Sequence, residues 1–414
     1  MNTSTDTANS PSTPVATPSA ELPELRLKRG EDRRLAAGHL WVFSNEVDTA
    51  RTPLTAFEPG ALCRVVSDRE RFMGYAYVNP HSLISARILG RNANYAPDKS
   101  LLVHRLQVAQ SLRRSLYEKP FYRLAYGESD LLPGLVLDRF GDVVVGQIAT
   151  AGMEALRPQI EAAVKKVISP TAMVWKNDTG ARDLEGLPQY VETAFGEAPE
   201  FVTVEEGGVS YQVPLGSGQK TGWFFDQAAN RLSMRKYVGG ARVLDVFSYL
   251  GAWGLGALKA GATEATCIDS SASALELLQA SAGANGLKPA VLKGDAFDMM
   301  ESLHQQGRRF DVVIVDPPAF IKRKKDIPKG EAAYKRLNQL AMQLLDKDGI
   351  LVSCSCSYHL EPGALLTAIQ RGARHLGKFA QVVEVGGQAP DHPLHPAIPE
   401  TRYLKAFFCR VVTE

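Results

Sequence analysis

Residues 242–256 read RVLDVFSYLGAWGLG: an apolar strand that closes on Asp245, a glycine-containing turn, and the start of a helical pattern. Glycine in a strand-to-helix turn lets backbone approach a ligand closely and adopts φ/ψ values that other residues avoid. The spacing departs from the G-x-G-x-x-G of dinucleotide-binding turns, and Ser248 stands where a pyrophosphate would want the early glycine. A carboxylate at the head of the turn suits a positively charged ligand better than a phosphate. Downstream, TCID (266–269), AVLKGD (290–295) and FDVVIVDPP (310–318) repeat the strand signature, each followed by a helical pattern. Strands and helices alternating at this spacing predict a parallel sheet with helices on both faces.

Ligands of open α/β sheets bind at the carboxyl ends of the strands. Asp245, Asp269, Asp295 and Asp316 all stand at such ends, separated by 24, 26 and 21 residues, about one βα unit each time. The expectation is a single crevice presented with four carboxylates, Asp269 being placed to accept hydrogen bonds from ribose hydroxyls. Capping of the following helix is the competing reading for each acid taken alone. In Asp316-Pro317-Pro318-Ala319-Phe320 two prolines stiffen the strand end, which suits a grip on a planar ring by stacking on Phe320 and hydrogen bonding to Asp316; a plain rigid turn is the alternative. The run ILVSCSCSYH (350–359) brings Cys354 and Cys356 to the same row of strand ends. A thiolate there can add to an electron-poor ring carbon. Buried, apolar cysteines are one rival reading of the run; metal ligation by Cys-x-Cys-x-x-His is another, but it lacks a matching second cluster, and no metal is expected. Cys63, Cys267 and Cys409 sit inside apolar strand runs and read as core.

Upstream of this block the chain changes character. Residues 1–20 are Ser, Thr, Pro, Ala and Asn with one charge inside the stretch, which predicts a disordered tail without the features of a targeting peptide. From Leu25 to Leu89, short strands such as LCRVVSD, FMGYAYVN and LISARIL are punctuated by Glu58-Pro59-Gly60 and Asn79-Pro80, which predicts a small β-rich module. From Leu101 to Glu197 come a helix (101–119), a hairpin turning at Gly141-Asp142, a helix over 153–168 and a strand over 171–178, together a compact α+β module. A hairpin at Gly207-Gly208 then introduces the strand–helix alternation. A length of 414 residues fits two to three domains. With 45% hydrophobic and 22% charged residues the composition is that of a globular protein. No apolar run is long enough to span a membrane, and five cysteines suggest reduced thiols in a cytoplasmic compartment rather than a disulfide framework.

The order of motifs resembles one family. The third block is similar to class I S-adenosylmethionine methyltransferases, and Leu25 to Val412 resembles the RlmI-like 23S ribosomal RNA (cytosine-C5) methyltransferases. The resemblance rests on His39-Leu40-Trp41-Val42-Phe43-Ser44, on Gly127-Glu128-Ser129-Asp130 with Pro133-Gly134 and Asp138-Arg139-Phe140-Gly141, and on Gln219-Lys220-Thr221-Gly222-Trp223-Phe224-Phe225-Asp226-Gln227 with Asn230-Arg231. DVFSYLGAWG, DPPAF, SCS and Tyr403-Leu404-Lys405 complete it. It implies a multidomain α/β protein: a tail (1–21), a PUA-like RNA-binding domain (22–95), a central α+β domain (96–198) and a Rossmann-like methyltransferase domain (199–414). It further assigns Asp245 and Gly251 to the methionine end of S-adenosylmethionine, Asp269 to its ribose and Asp295 to its adenine. Gln219, Lys220, Thr221 and Phe224 would follow the cofactor edge, with Phe247, Ser248, Asp316 and Pro317 completing the site. Asp316 and Pro317 would also face the target base, and Cys356 would be the nucleophile, with Cys354 dispensable. Ala319 stands where better-known RNA 5-methylcytosine enzymes carry a second cysteine after Pro-Pro.

The implied partner is large-subunit ribosomal RNA, whose target base must be flipped out of its stack. Lys322-Arg323-Lys324-Lys325, directly after DPPAF, could hold a phosphate beside that base, or form a solvated charge run. Methylation of another RNA atom or nucleotide, and a non-catalytic RNA-binding protein, are the rival functions. The net charge of +2 alone argues against nucleic acid, but residues 1–123 carry 17 basic and 12 acidic groups and so hold +5, which the acids of the remainder offset. Sequence leaves the oligomeric state open.

Overall fold

The computed structural model describes residues 22–216 and 218–413; the expected tail, 1–21, lies outside the described residues. Among the described residues no helix is long and apolar enough to cross a membrane.

The N-terminal module is a five-stranded sheet in the order Glu24–Arg26, Leu62–Val66, Phe72–Val78, Ile84–Gly90, Trp41–Phe43. Its core gathers Leu25, Val42, Cys63, Val65, Ala76 and Ile88. The central module is a second five-stranded sheet, from Phe121–Tyr126 through the Leu135–Phe140 and Val143–Ile148 hairpin to Ala172–Asn177 and Tyr190–Phe195. The helix Lys99–Leu116 packs on it together with the helix Arg157–Ile168. The single helix expected over 153–168 is two, Ala151–Ala155 and Arg157–Ile168. Pro158 lies in the first turn of the second, where its missing N–H costs nothing but where it could not continue the first.

The C-terminal module holds a hairpin, Phe201–Glu206 with Val209–Pro214, and a seven-stranded sheet. Its strands are β1 (Arg242–Val246), β2 (Glu264–Asp269), β3 (Ala290–Lys293), β4 (Phe310–Val315), β5 (Leu345–Ser355), β6 (Lys378–Gly386) and β7 (Lys405–Thr413), in the order β3-β2-β1-β4-β5-β7-β6. β1 to β5 pair in parallel, as expected; β7 runs antiparallel to β5 and β6, which the sequence reading did not anticipate. A short loop joining β6 to β7 would need no crossover helix, and the 387–404 segment between them is used instead to reach the other modules.

Strand periodicity sorts the core onto two faces. Val313 and Val315 face the helices α3 (Ala296–Gln305), α4 (Ile327–Leu344) and α5 (Pro362–His375), whereas Val312 and Ile314 face α1 (Ala252–Lys259). The helix α2 (Ala272–Ala284) packs on the α1 side with the hairpin. The sheet order reverses between β1 and β4, the switch point at which ligands of open α/β sheets bind.

Buried polar contacts tie the three modules together. Trp41 Nε1 donates to Glu128 (2.9 Å), Arg87 pairs with Glu185 (3.0 Å), and the Tyr77 hydroxyl donates to the Pro133 carbonyl (2.7 Å). Arg123 grips Asp138 through two bonds of 2.9 Å, and Asp138 in turn accepts from Thr221 of the C-terminal module (2.5 Å). The 387–404 segment sends Asp391 to Arg113 and to the Arg123 backbone, and Ile398 into the N-terminal core.

Candidate active site

The turn after β1 is bent hard. Phe247 (φ +66°), Tyr249 (φ +49°) and Gly251 (φ +78°) all take left-handed backbone, an unfavourable choice for two aromatic residues. Surrounding contacts hold it: the Ser248 N–H donates to Ile268 at the end of β2, and the Tyr249 N–H donates to the Asp269 carboxylate (2.8 Å). Only glycine serves at 251, because a Cβ there would stand 2.6 Å from Leu278 of α2.

Beside this turn lies a cavity of about 330 Å³. Its walls are rings (Phe224, Phe247, Tyr249 and Trp253), the carboxylates of Asp226, Asp269 and Asp316, Lys220, and at one end Pro317, Pro318 and Cys356. Of the residues singled out from sequence, Gln219, Lys220, Phe224, Phe247, Ser248, Asp269, Asp316, Pro317 and Cys356 therefore meet in one place.

The four acids do not share it equally, which corrects the expected row of carboxylates. Asp269 lines the cavity, with one oxygen accepting from Tyr249 N and the other from Ser271 N (both 2.8 Å). Asp316 lines it too, its carboxylate fixed by Gln227 Nε2 (2.8 Å) and Trp253 Nε1 (3.1 Å). Asp245 is fully buried behind the wall: one oxygen accepts from Gly254 N (2.9 Å) and the other has no partner. Asp295 points elsewhere, capping α3 through Phe297 N (2.9 Å) and Asp298 N (3.3 Å), so the capping reading holds for it. Strand-end position fixes where an acid sits along the sheet but not which neighbours surround it.

Three further expectations change. Thr221 is wholly buried and spends its hydroxyl on Asp138, so it is a tie between modules rather than part of the cavity wall. Phe320 does not line the cavity: its half-buried ring packs against Tyr334 (4.9 Å between centroids), Phe297 (6.3 Å) and Phe247 (6.4 Å) at the edge of the core. Lys322, Arg323, Lys324 and Lys325 are exposed and outside the cavity, although they follow its Pro317–Ala319 wall in the chain; Arg323 faces Asp326 at 3.4 Å.

The two cysteines of the C-x-C segment part company. Cys354 is fully buried against Val352 and Phe408, whereas Cys356, one residue past the end of β5, is half-buried and reaches the cavity, its thiol 3.9 Å from the Pro317 carbonyl. All five cysteines are free. Asp226, Gln227, Trp253 and Tyr403 stand inside the sequence motifs but carry no site role that the sequence alone reveals. Asp226 accepts from the Tyr403 hydroxyl (2.5 Å) and faces Lys220 Nζ (3.7 Å), and Gln227 links Asp316 to Asn230. No spacing rule marks the contacts that place them in the site: Trp253 to Asp316, Gln227 to Asp316 and Tyr403 to Asp226 cross 63, 89 and 177 residues of chain.

The electrostatics are those of a site short of positive charge. Burial, with the charges of Asp316 and Asp269 adding, pushes Asp245 up to about 7. Burial, with the charge of Asp226 adding, pushes Asp316 up to about 6. Burial also pushes the Cys356 thiol up to about 11, against the pull of Lys220. Asp226 is held well below the usual carboxylate range: burial opposes this, but Lys220, His392, Tyr403 and Arg123 outweigh it. A cationic ligand with an aromatic part and vicinal hydroxyls fits this arrangement: rings for its flat portion, Asp269 for hydroxyls, and unpartnered Asp245 and Ser248 oxygens beside the turn.

Two family models match the chain: a PUA-like domain over residues 25–91 and an S-adenosylmethionine-dependent methyltransferase over residues 182–408. Ribosomal RNA large subunit methyltransferase I of Klebsiella pneumoniae is 35% identical over 94% of this chain and 98% of its own. Among solved structures, an S-adenosylmethionine-dependent methyltransferase from Streptococcus mutans superposes with a TM-score of 0.78 at 21% identity, covering 94% of this chain and all of that one. A methyltransferase crystallised with SAH gives 0.80 at 21% identity and the same coverage.

Proposed function

Since the chain belongs to the S-adenosylmethionine-dependent methyltransferase family, together with ribosomal RNA large subunit methyltransferase I, we propose that it methylates C5 of a cytosine in large-subunit ribosomal RNA through a covalent Cys356 adduct. The cofactor is S-adenosylmethionine, which when bound supplies a methyl group activated by a sulfonium.

In this reading the turn after β1 holds the cofactor. Phe224, Phe247 and Ser248 lie along it, with Gln219 at the rim, Asp269 accepting from the ribose hydroxyls and Asp245 placing negative charge beneath its methionine end. Gly251 serves by shape, letting α2 approach the turn. The observation that carries the reaction is that the Cys356 thiol, 3.9 Å from the Pro317 carbonyl, and the Asp316 carboxylate line the same cavity.

Cytosine C5 is a poor nucleophile, and the site residues correct this. The Cys356 thiolate forms an S–C6 bond, and the C5–C6 π electrons move to C5, which becomes enamine-like and would take the methyl group as its bond to the cofactor sulfur breaks, the electron pair returning to sulfur to leave neutral S-adenosylhomocysteine. Asp316, raised to about 6 by burial, hydrogen-bonds near N3 and steadies the pyrimidine as its electrons shift. Loss of the C5 proton to a base then restores the double bond as the C6–S bond breaks and thiolate returns. With Ala319 after the prolines, no second cysteine at that position assists the elimination. The exposed Lys322–Lys325 run, beside the cavity mouth in sequence, supplies phosphate contacts for an RNA whose base is flipped inward.

The test is to incubate wild type and Cys356→Ala with large-subunit ribosomal RNA and S-adenosylmethionine and to map methylated positions and atoms by mass spectrometry. Wild type is expected to yield 5-methylcytosine and the variant none, with cofactor binding intact by calorimetry. Methylation of C5 by Cys356→Ala would refute the adduct; methylation by wild type at another atom would refute the specificity.

A further inference from the structure

Lys220 has left-handed backbone (φ +50°), an uncommon state for a lysine, and contacts on both sides keep it there. The Gln219 N–H before it donates to the Tyr249 hydroxyl (3.1 Å), and Thr221 after it is bonded to Asp138, itself clamped by Arg123. The side chain so aimed puts Nζ 4.6 Å over the Phe224 ring and 3.7 Å from Asp226, on the wall of the cavity that Cys356 enters.

Every other element packed around Cys356 works against a thiolate or contributes little to it. Asp316 after β4 and Asp226 on the 219–227 segment are acids, Cys354 on β5 is a second buried thiol, and Tyr334 on α4 is a neutral phenol bonded to Ser355 and Ser357. Two other cations stand nearby: Arg231 lines the same cavity but is committed to the Glu206 carboxylate through Nε (2.5 Å) and Nη2 (2.7 Å), whereas Lys405 on β7 does not line it, its Nζ donates to the Ser357 carbonyl (2.6 Å), and burial pulls it down to about 8. Lys220 also partly neutralises Asp226, so its removal would both withdraw a positive charge and unmask a negative one.

We infer that Lys220 is the positioning residue that makes Cys356 nucleophilic, the cation stabilising its thiolate, and that the central module sets its place through the Asp138–Thr221 bond. The inference rests on the reading of Cys356 as nucleophile, but it is tested by thiol chemistry rather than methyl transfer. The intact protein, without cofactor, is treated with iodoacetamide between about pH 7 and 11, and Cys356 labelling is followed by peptide mass spectrometry in wild type, Lys220→Met, Lys220→Arg and Lys405→Met. The Lys220 side chain is about half exposed, so its two variants keep the fold, and thermal melts check the same for Lys405→Met, whose side chain is buried. Removing a nearby opposite charge moves a pKa by about a unit or more, so Lys220→Met should label about tenfold more slowly near pH 8, with its pH midpoint displaced upward. Lys220→Arg and Lys405→Met should stay within about threefold of wild type. Equal labelling of Lys220→Met and wild type would overturn the inference, as would Lys220→Arg being as slow as Lys220→Met or Lys405→Met giving the larger effect. If Cys356→Ala still methylated RNA, the nucleophile reading would fail while this coupling would stand or fall on the labelling alone.

Discussion

Asp245→Asn separates stability from cofactor binding. Asp245 is fully buried, with one unpartnered oxygen, and its carboxyl is raised from an ordinary 3.8 to about 7. Between those values the folded state binds a proton that the unfolded state has released, so stability must fall as pH rises. At about 1.4 kcal/mol per unit, the interval from pH 5 to 7 costs the wild type about 3 kcal/mol through Asp245, and Asp316, raised to about 6, adds about 1 kcal/mol below pH 6. For a domain of this size that corresponds to a Tm lower by roughly 8–15 °C at pH 8 than at pH 5 from these two groups. Asn keeps the acceptor for the Gly254 N–H but cannot titrate, so the variant should retain only the Asp316 share of the decline. Whatever its buried amide costs, about 1–3 kcal/mol, is the same at both pH values and cancels from the difference. Thermal melts of cofactor-free protein at pH 5 and 8 read the slope, and calorimetry with S-adenosylmethionine at pH 8 reads the binding, expected to weaken at least about tenfold once the charge beneath the methionine end is gone. Parallel declines in wild type and variant would refute the buried, neutralised state of Asp245. Undiminished affinity would refute its role toward the cofactor.

Replacing Lys322, Arg323, Lys324 and Lys325 by Ala should weaken RNA binding and, if all four hold phosphates, lower the slope of log K against log salt by about 3–3.5, as each lost phosphate contact removes about 0.7–0.9; an unchanged slope rejects the contact. Asp295→Ala should cost about 1 kcal/mol through the lost α3 cap, read by denaturant titration, with cofactor affinity within about twofold of wild type; a larger loss of affinity would return Asp295 to the adenine. Trp41→Phe removes the bond to Glu128 and should destabilise the seam between the N-terminal and central modules by about 1–2 kcal/mol while leaving calorimetric cofactor binding unchanged.

Much of the fold is local and was readable. The hairpins at Gly141-Asp142 and Gly207-Gly208, the three N-terminal strands 62–66, 72–78 and 84–90, and β1 to β4 are set by apolar runs and turn residues within about ten positions of each other. The antiparallel β7 was not, because its direction depends on how the 387–404 segment returns after visiting the other two modules. Motifs that served as marks of resemblance turned out to be seams: Trp41 meets Glu128, and Asp138 meets both Arg123 and Thr221.

By itself, the sequence determined that carboxylates, glycines and a Cys-x-Cys segment arrive at one end of a sheet, since strand length and period decide what a strand delivers and to which edge. Only the tertiary structure decided which of them meet. Asp269 and Asp316 face the cavity, Asp245 presses from behind it, Asp295 caps a helix, Cys354 is core and Cys356, one step beyond the pairing of β5, is the thiol that reaches the site. The physical reason is that a side chain's exposure, partners and charge state come from whatever packs against it. Asp226 and Tyr403, 177 residues apart, come together in the site through a contact across the fold that no local pattern in the chain encodes.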